Sequence, residues 1–332
     1  MPAGAFRADV ERMLWPWLER EAQASCLARL PSLVCEAAGG DARQAAPATA
    51  AWQLVRLAAK LLDDVEDGDV ATGCGAMVNV ATGLLFGASL ILKRLGVPTD
   101  RSQSVRDELQ LAMLHAASGQ HADLLAQTAD ATALDPDGWF AIARAKSGEL
   151  VGWAAWAGAY AAAVPPPALE AYREYGICLG VLLQVVDDFN GIWRSDGKSD
   201  LAEDARSADL GDGARPADLA AGVTSLPVCY ARLVARGRVG GDLERVLQAA
   251  SEGDTDAERE GLELLTELGA QGFMVVVAEA QRREAREALA RAGCRPPARD
   301  RLLGLLDEVL ASDAASEEAP PQRAERAQRK DM

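Results

Sequence analysis

The sequence predicts an all-α protein, and three observations carry that prediction. Apolar residues recur at spacings of three and four along most of the 332 residues, Gly and Pro clusters interrupt the runs, and no stretch alternates apolar with polar residues as a half-buried strand does. In order, the helical runs cover Val10 to Val34, Ala50 to Val65, Met77 to Leu92, Val105 to Leu125, Trp139 to Ala163, Leu169 to Ile192, Leu226 to Val234, Ala257 to Ala292 and Arg299 to Leu310, with some spans holding two helices. Turn signals separate them at Gly39-Gly40, Gly96-Val97-Pro98, Asp135-Pro136-Asp137-Gly138 and Pro165-Pro166-Pro167. Nothing marks a domain boundary, so the expectation is one helical domain over residues 1–311 with a central core. Residues 312–332 are polar and charged and read as a disordered tail.

Composition excludes several classes of function. With 50 acidic against 34 basic side chains the formal charge is −16, which repels nucleic acid and anionic membrane alike. Val70 to Leu92 and Leu150 to Leu169 are uncharged stretches long enough to raise a membrane question. The first contains Gly73, Gly75, Asn79, Gly83 and Gly87 and the second ends in three prolines, so both are expected to be buried core helices without stable membrane insertion. Arg7, Asp9, Glu11 and Arg12 interrupt any secretory leader, and a cytoplasmic protein is expected. The six cysteines lack CxxC spacing and read as buried free thiols, while His115 and His121 alone give zinc or triad chemistry little to draw on. No Gly-rich phosphate loop is present.

The most informative features are two acidic clusters, each at the end of an apolar helical run: Asp63-Asp64-Val65-Glu66-Asp67 and Asp187-Asp188-Phe189-Asn190. At about 100° per residue, Arg56, Lys60, Asp63 and Asp67 share one helical stripe, with Asp64 beside it. Gln184, Asp187 and Asp188 lie close together on the second helix. Carboxylates packed this closely repel unless a cation sits among them. Magnesium meets that need by combining one or two carboxylates with substrate phosphate oxygens and water. A single such cluster is ordinarily a solvated helix end; two of them on apolar helices, with cations nearby, point to facing metal-binding helices.

These motifs resemble those of the trans-isoprenyl diphosphate synthases and their class I terpene synthase relatives, over the chain to about residue 310. Asp63 to Asp67 is similar to the first DDxxD motif and Gly180 to Asp188 to GxxxQxxDD. Gly119-Gln120-His121-Ala122-Asp123-Leu124 resembles GQxxDL, and Lys146-Ser147-Gly148-Glu149-Leu150 resembles KTxxL. Gly197-Lys198 and Asp218-Leu219 through Leu226-Pro227 resemble the GK and DLxxGKxTLP stretches. The resemblance implies a single-domain class I isoprenoid synthase bundle around a central cavity, a homodimer, and three Mg²⁺ ions for which Mn²⁺ can substitute. It implies that Asp63, Asp64 and Asp67 hold two ions and Asp187 with Gln184 or Asp188 a third, while Lys146, Gln184, Lys198 and Arg56 contact the diphosphate of a geranylgeranyl or farnesyl chain. Arg56 and Lys60 could equally pair with the aspartates.

The departures shaped the expected reaction. The GKxxR motif that serves the isopentenyl diphosphate substrate is replaced by Gly39-Gly40-Asp41-Ala42-Arg43, and no arginine pair follows the first motif. Arg56 replaces a histidine, Val223 the lysine of GKxTLP, and Gly191 the last aspartate of the second motif. With the second diphosphate site so depleted, the expectation is a terpene synthase that ionises one allylic diphosphate and cyclises or quenches the cation. The alternative is a prenyltransferase using isopentenyl diphosphate or another acceptor, including pheromone-modifying enzymes of the ComQ type; a non-catalytic partner subunit is a third reading. Trp153, Trp156 and Tyr160 either pack the core or offer cation-tolerant π faces to the cavity, with Trp153 best placed for the latter, and Gln120 is expected on the pocket wall. Ala58 and Ala59, just before the first aspartate, are expected to leave room for a C20 chain. Arg194 to Val223 reads as a loop beside the site, of the kind that serves as a lid.

Overall fold

The computed structural model describes residues 3–24, 26–66, 73–95, 99–127, 134–193, 219 and 225–311. Every regular element among them is helical: α1 (Ala3–Ala24), α2 (Leu30–Ala37), α3 (Ala46–Glu66), α4 (Cys74–Ile91), α5 (Thr99–Ala126), α6 (Pro136–Ala143), α7 (Glu149–Ala161), α8 (Pro166–Trp193), α9 (Leu226–Val234), α10 (Arg238–Ser251), α11 (Thr255–Glu267), α12 (Ala270–Ala292) and α13 (Ala298–Ala311). The fold is therefore all-α among the described residues, as the apolar spacing predicts. The expected tail, the lid stretch apart from Leu219, Asp67 and Lys198 lie outside the described residues.

Local chemistry sets the helix ends where the turn signals predicted them. Asp135 accepts the Gly138 N–H at 2.8 Å with Pro136 in the first turn, which starts α6. Asp254 accepts the Asp256 and Ala257 N–H groups and starts α11. The long apolar span from Ala257 to Ala292 breaks at Gly269, whose φ of 82° places it in the left-handed region, and α11 and α12 meet there at a 60° bend.

Helix α8 runs through the core, packing along α7 on one side and α12 on the other, while α3 lies along α4 and α2 along α7. Trp153, Tyr172, Tyr175, Leu179 and Leu182 are fully buried in this centre. The Leu150–Leu169 stretch behaves as expected, with most of α7 buried. Helix α4 corrects the companion expectation. It is not a core helix: Phe86 is 69% exposed, Leu90 is 59% exposed, and Val78 is exposed as well. Only one face of α4, carrying Val80, Ala81, Leu84 and Ala88, is buried. An uncharged run carries no polar stripe to mark its outer face, so the sequence could not show that a second apolar face stays open. By length and composition, both Cys74–Arg94 and Pro166–Trp193 reach the size of a membrane span.

Candidate active site

A cavity of about 690 Å³ opens between α3, α5, α8 and the segment joining α6 to α7. Its mouth is polar, with Lys60, Asp63 and Glu66 from α3, Gln120 and His121 from α5, and Gln184 and Asp187 from α8. Lys146 and Ser147 enter from a π-helical turn over Arg144–Gly148, an irregularity the sequence did not reveal.

Two motif glycines explain how that turn comes so close. A Cβ on Gly119 would fall 2.5 Å from the Lys146 backbone nitrogen, and one on Gly180 would fall 2.8 Å from the Ser147 oxygen. Only glycine lets α5 and α8 press against the π turn from two sides, so GQxxDL and GxxxQxxDD meet at Lys146. Hydrogen bonds lock the contact. Ser147 Oγ donates to Gln184 Oε1 at 3.1 Å, Lys146 Nζ pairs with Asp123 Oδ2 at 2.8 Å, and Gln120 Nε2 donates to Glu66 Oε2 at 2.8 Å.

The aspartates divide into two kinds. Asp63 and Asp187 line the cavity. Asp64, turned about 100° away, lies off the lining and pairs with Lys60 Nζ at 2.6 Å. Asp188, turned likewise from Asp187, is buried and accepts the Leu226 N–H at 2.6 Å, which caps the first turn of α9. Asp64 and Asp188, expected to face the ions with their neighbours, thus lie off the cavity lining in this structure, each engaged by a partner of its own.

Burial raises the Asp63 carboxyl above its usual value, opposed by Lys146 and Lys60 and reinforced by Asp64 and Glu66. Asp187 opens onto cavity water but is walled by protein on its other sides. Loss of hydration pushes it up to about 6, with Lys146 opposing and Asp63 reinforcing. Such carboxylates suit a hard divalent cation. Among the described residues no group of three or more His, Cys, Asp or Glu could hold an ion unaided. Asp63 and Asp187, one from each facing helix, would fit magnesium as one or two carboxylates with the rest of the shell from phosphate oxygens and water.

Other expected site residues lie elsewhere. Trp153 is fully buried in the core, its Nε1 donating to Val105 O at 3.2 Å, so it does not face the cavity. Trp156 and Tyr160 stack on each other, capped by the guanidinium groups of Arg173 and Arg101, and also lie off the cavity lining. Ala58 is fully buried against α1 and α4, whereas its neighbour Ala59 lines the cavity. Arg56 lines the cavity with its guanidinium over the rings of Trp17 and Trp52, at 5.2 and 5.7 Å from their centroids. Those two indoles were missed. Trp52 was legible, being eleven residues before Asp63 on the Arg56 stripe; Trp17 reaches the site from α1 and had no local signal. The GKxxR-like segment is also accounted for. Asp41 and Gln44 form a capping box, and Arg43 pairs with Asp41 at 2.7 Å on the exposed surface, off the cavity lining.

A helical bundle with acid-bearing helices facing across an apolar cavity defines the isoprenoid synthase class. The polyprenyl synthetase family profile matches residues 28–260, and the chain belongs to that family. It is 33% identical over 171 residues to a geranylgeranyl diphosphate synthase of Mycobacterium tuberculosis, a match covering 48% of each protein. The chain thus spans about half the length of that curated relative. A polyprenyl synthetase from Streptomyces coelicolor A3(2) has the same fold, with a TM-score of 0.72 at 23% identity over 92% of this chain and 96% of its own. A geranylgeranyl pyrophosphate synthetase from Pyrococcus horikoshii Ot3 also gives 0.72, at 18% identity over 90% of each chain. The family match and the geranylgeranyl diphosphate synthase relative overturn the terpene synthase expectation and its lyase chemistry, because they favour the prenyltransferase alternative.

The raised Asp187 carboxyl has a consequence for stability. Its unfolded value is about 4, so between there and about 6 the folded protein holds the extra proton and stability falls as pH rises. In chelator, Asp187→Asn should melt above the wild type at pH 8, with the difference vanishing near pH 4. Equal melting temperatures at both pH values would contradict this.

Proposed function

We propose that the protein is a magnesium-dependent prenyltransferase that ionises an allylic prenyl diphosphate in this cavity and transfers the prenyl group to an alkene acceptor, with isopentenyl diphosphate the first candidate. The observation that carries this reading is the placement of Asp63 and Asp187 on facing walls of one cavity, with Lys60 and Lys146 at its mouth. In the reaction the allylic C–O bond breaks, the acceptor π electrons form the new C–C bond, and loss of a proton restores the alkene.

Lys60 and Lys146 place positive charge where the diphosphate would lie, and Ser147 with Gln184 offers hydrogen bonds beside it. Magnesium, held by Asp63 and Asp187 together with phosphate oxygens, would supply Lewis-acid stabilisation of the leaving group, and Mn²⁺ would serve in its place. Below the mouth, Leu62, Met113, Leu150, Val151 and Leu183 exclude water from the reacting carbon. Asp67 and Lys198 belong to the same proposal through their motifs.

With Mg²⁺, farnesyl diphosphate and isopentenyl diphosphate should give a longer linear prenyl diphosphate, identified by mass spectrometry. Chelator should abolish the product, and Asp63→Ala and Asp187→Ala should each lower turnover by about a hundredfold or more. A hydrocarbon released without any acceptor, or full turnover in chelator, would overturn the reading.

We also propose a homodimer. Exposed Val78, Phe86 and Leu90 on α4 and Leu111 and Leu114 on the adjoining α5 are the kind of apolar surface that a partner subunit covers. Light scattering should give twice the 35.0 kDa chain mass, and a value of 35.0 kDa would contradict it.

A further inference from the structure

The closed end of the cavity is built differently from its mouth. At about 1.5 Å per residue, Trp52 lies about 16 Å along α3 from Asp63. Between them the walls carry Ala59 from α3 and Ala116 and Ala117 from α5, which leave the passage open. It then meets Trp17 and Trp52 together, with Leu27 beside them.

Those indoles are held in place. Trp17 Nε1 donates to Gln53 Oε1 at 3.1 Å, Gln53 Nε2 donates to Ala28 O at 2.6 Å, and Trp52 Nε1 donates to Leu27 O at 2.9 Å. Trp17 is 6% and Trp52 is 3% exposed, and the Arg56 guanidinium lies over both rings. A guanidinium over a ring face is attracted to its π electrons, which favours this placement of both indoles. With both indole N–H groups spoken for and both rings engaged by one cation, neither ring can rotate aside without losing several interactions at once. Trp17 also lies before residues 28–260, where the family profile matches, so α1 adds this part of the wall from outside the shared region.

We propose that Trp17 and Trp52 form the end stop that sets the longest prenyl chain the cavity accepts, with Arg56 as the positioning residue that keeps the two rings in place. This rests on the reading of the cavity as a prenyl diphosphate site. A chain anchored by its diphosphate between Asp63, Asp187 and Lys146 extends past the alanines and ends against the indoles. The gauge therefore lies about three helical turns below the first acidic motif rather than at Ala58, which faces away from the cavity.

The test uses non-ionising thio-analogues of geranyl, farnesyl and geranylgeranyl diphosphate, titrated calorimetrically with Mg²⁺ into the full chain, alongside product length by mass spectrometry. Trp17→Ala should shift the preference between the longest and shortest analogue by about tenfold toward the longest, since each additional isoprene unit then finds apolar surface to bury. Its products should lengthen by at least one isoprene unit. Trp17→Phe and Arg56→Gln should produce smaller shifts in the same direction, so the test survives if Trp17→Ala fails to fold. Binding of all three analogues with unchanged preference in the folded variants would overturn the end stop alone. No binding of any analogue by the wild type would overturn the prenyl diphosphate reading on which it rests.

Discussion

A carboxylate that gives up part of its hydration is held in the ionised form by positive charge close by, and at Asp187 Lys146 and Lys60 supply that charge. Asp63 shares both lysines and adds its own repulsion to Asp187. The position of Lys146 is therefore the constraint on which the site depends. It is not set by the lysine itself but by Gly119 on α5 and Gly180 on α8, whose missing side chains let both helices close on the π turn. Ser147–Gln184 then ties the π turn to α8, and Gln120–Glu66 ties α5 to α3. A charge requirement is met by backbone proximity of the π turn to α5 and α8.

Much of the fold was legible because it rests on local chemistry. Apolar spacing gave the helices, and Asp135-Pro136-Asp137-Gly138 gave the start of α6 through a cap that any sequence of that form can make. Motif membership gave Asp63, Asp187, Gln184, Gln120 and Lys146, all of which line one cavity. The failures have a common cause, since they depend on which way a helix turns within the packed bundle. Trp153 follows Lys146 by seven residues, but the π turn between them alters the phase and Trp153 points into the core. Asp188 sits beside Asp187 in sequence and caps a different helix. Trp17 joins Trp52 across 35 residues, and nothing near it in the sequence announces that meeting.

The correction from terpene synthase to prenyltransferase carries a physical lesson. Loss of GKxxR suggests loss of an acceptor site, whereas Asp41 in that segment forms a capping box with Gln44 that starts a helical turn. Absence of a motif reports on one solution to binding an acceptor and leaves others open. The cavity itself pairs a polar mouth with an apolar body closed by two indoles and a guanidinium. Such a shape separates the charged leaving group from the hydrocarbon chain along a single axis.

The central claim is that Asp63 and Asp187 act together on one diphosphate through shared divalent cations. The most direct measurement is calorimetric titration of farnesyl thiodiphosphate into the protein with and without Mg²⁺, repeated for Asp63→Asn and Asp187→Asn. The account predicts that tight binding requires Mg²⁺ and that each substitution removes most of this metal dependence. Equal affinity with and without Mg²⁺, or an unchanged metal dependence in both variants, would contradict it.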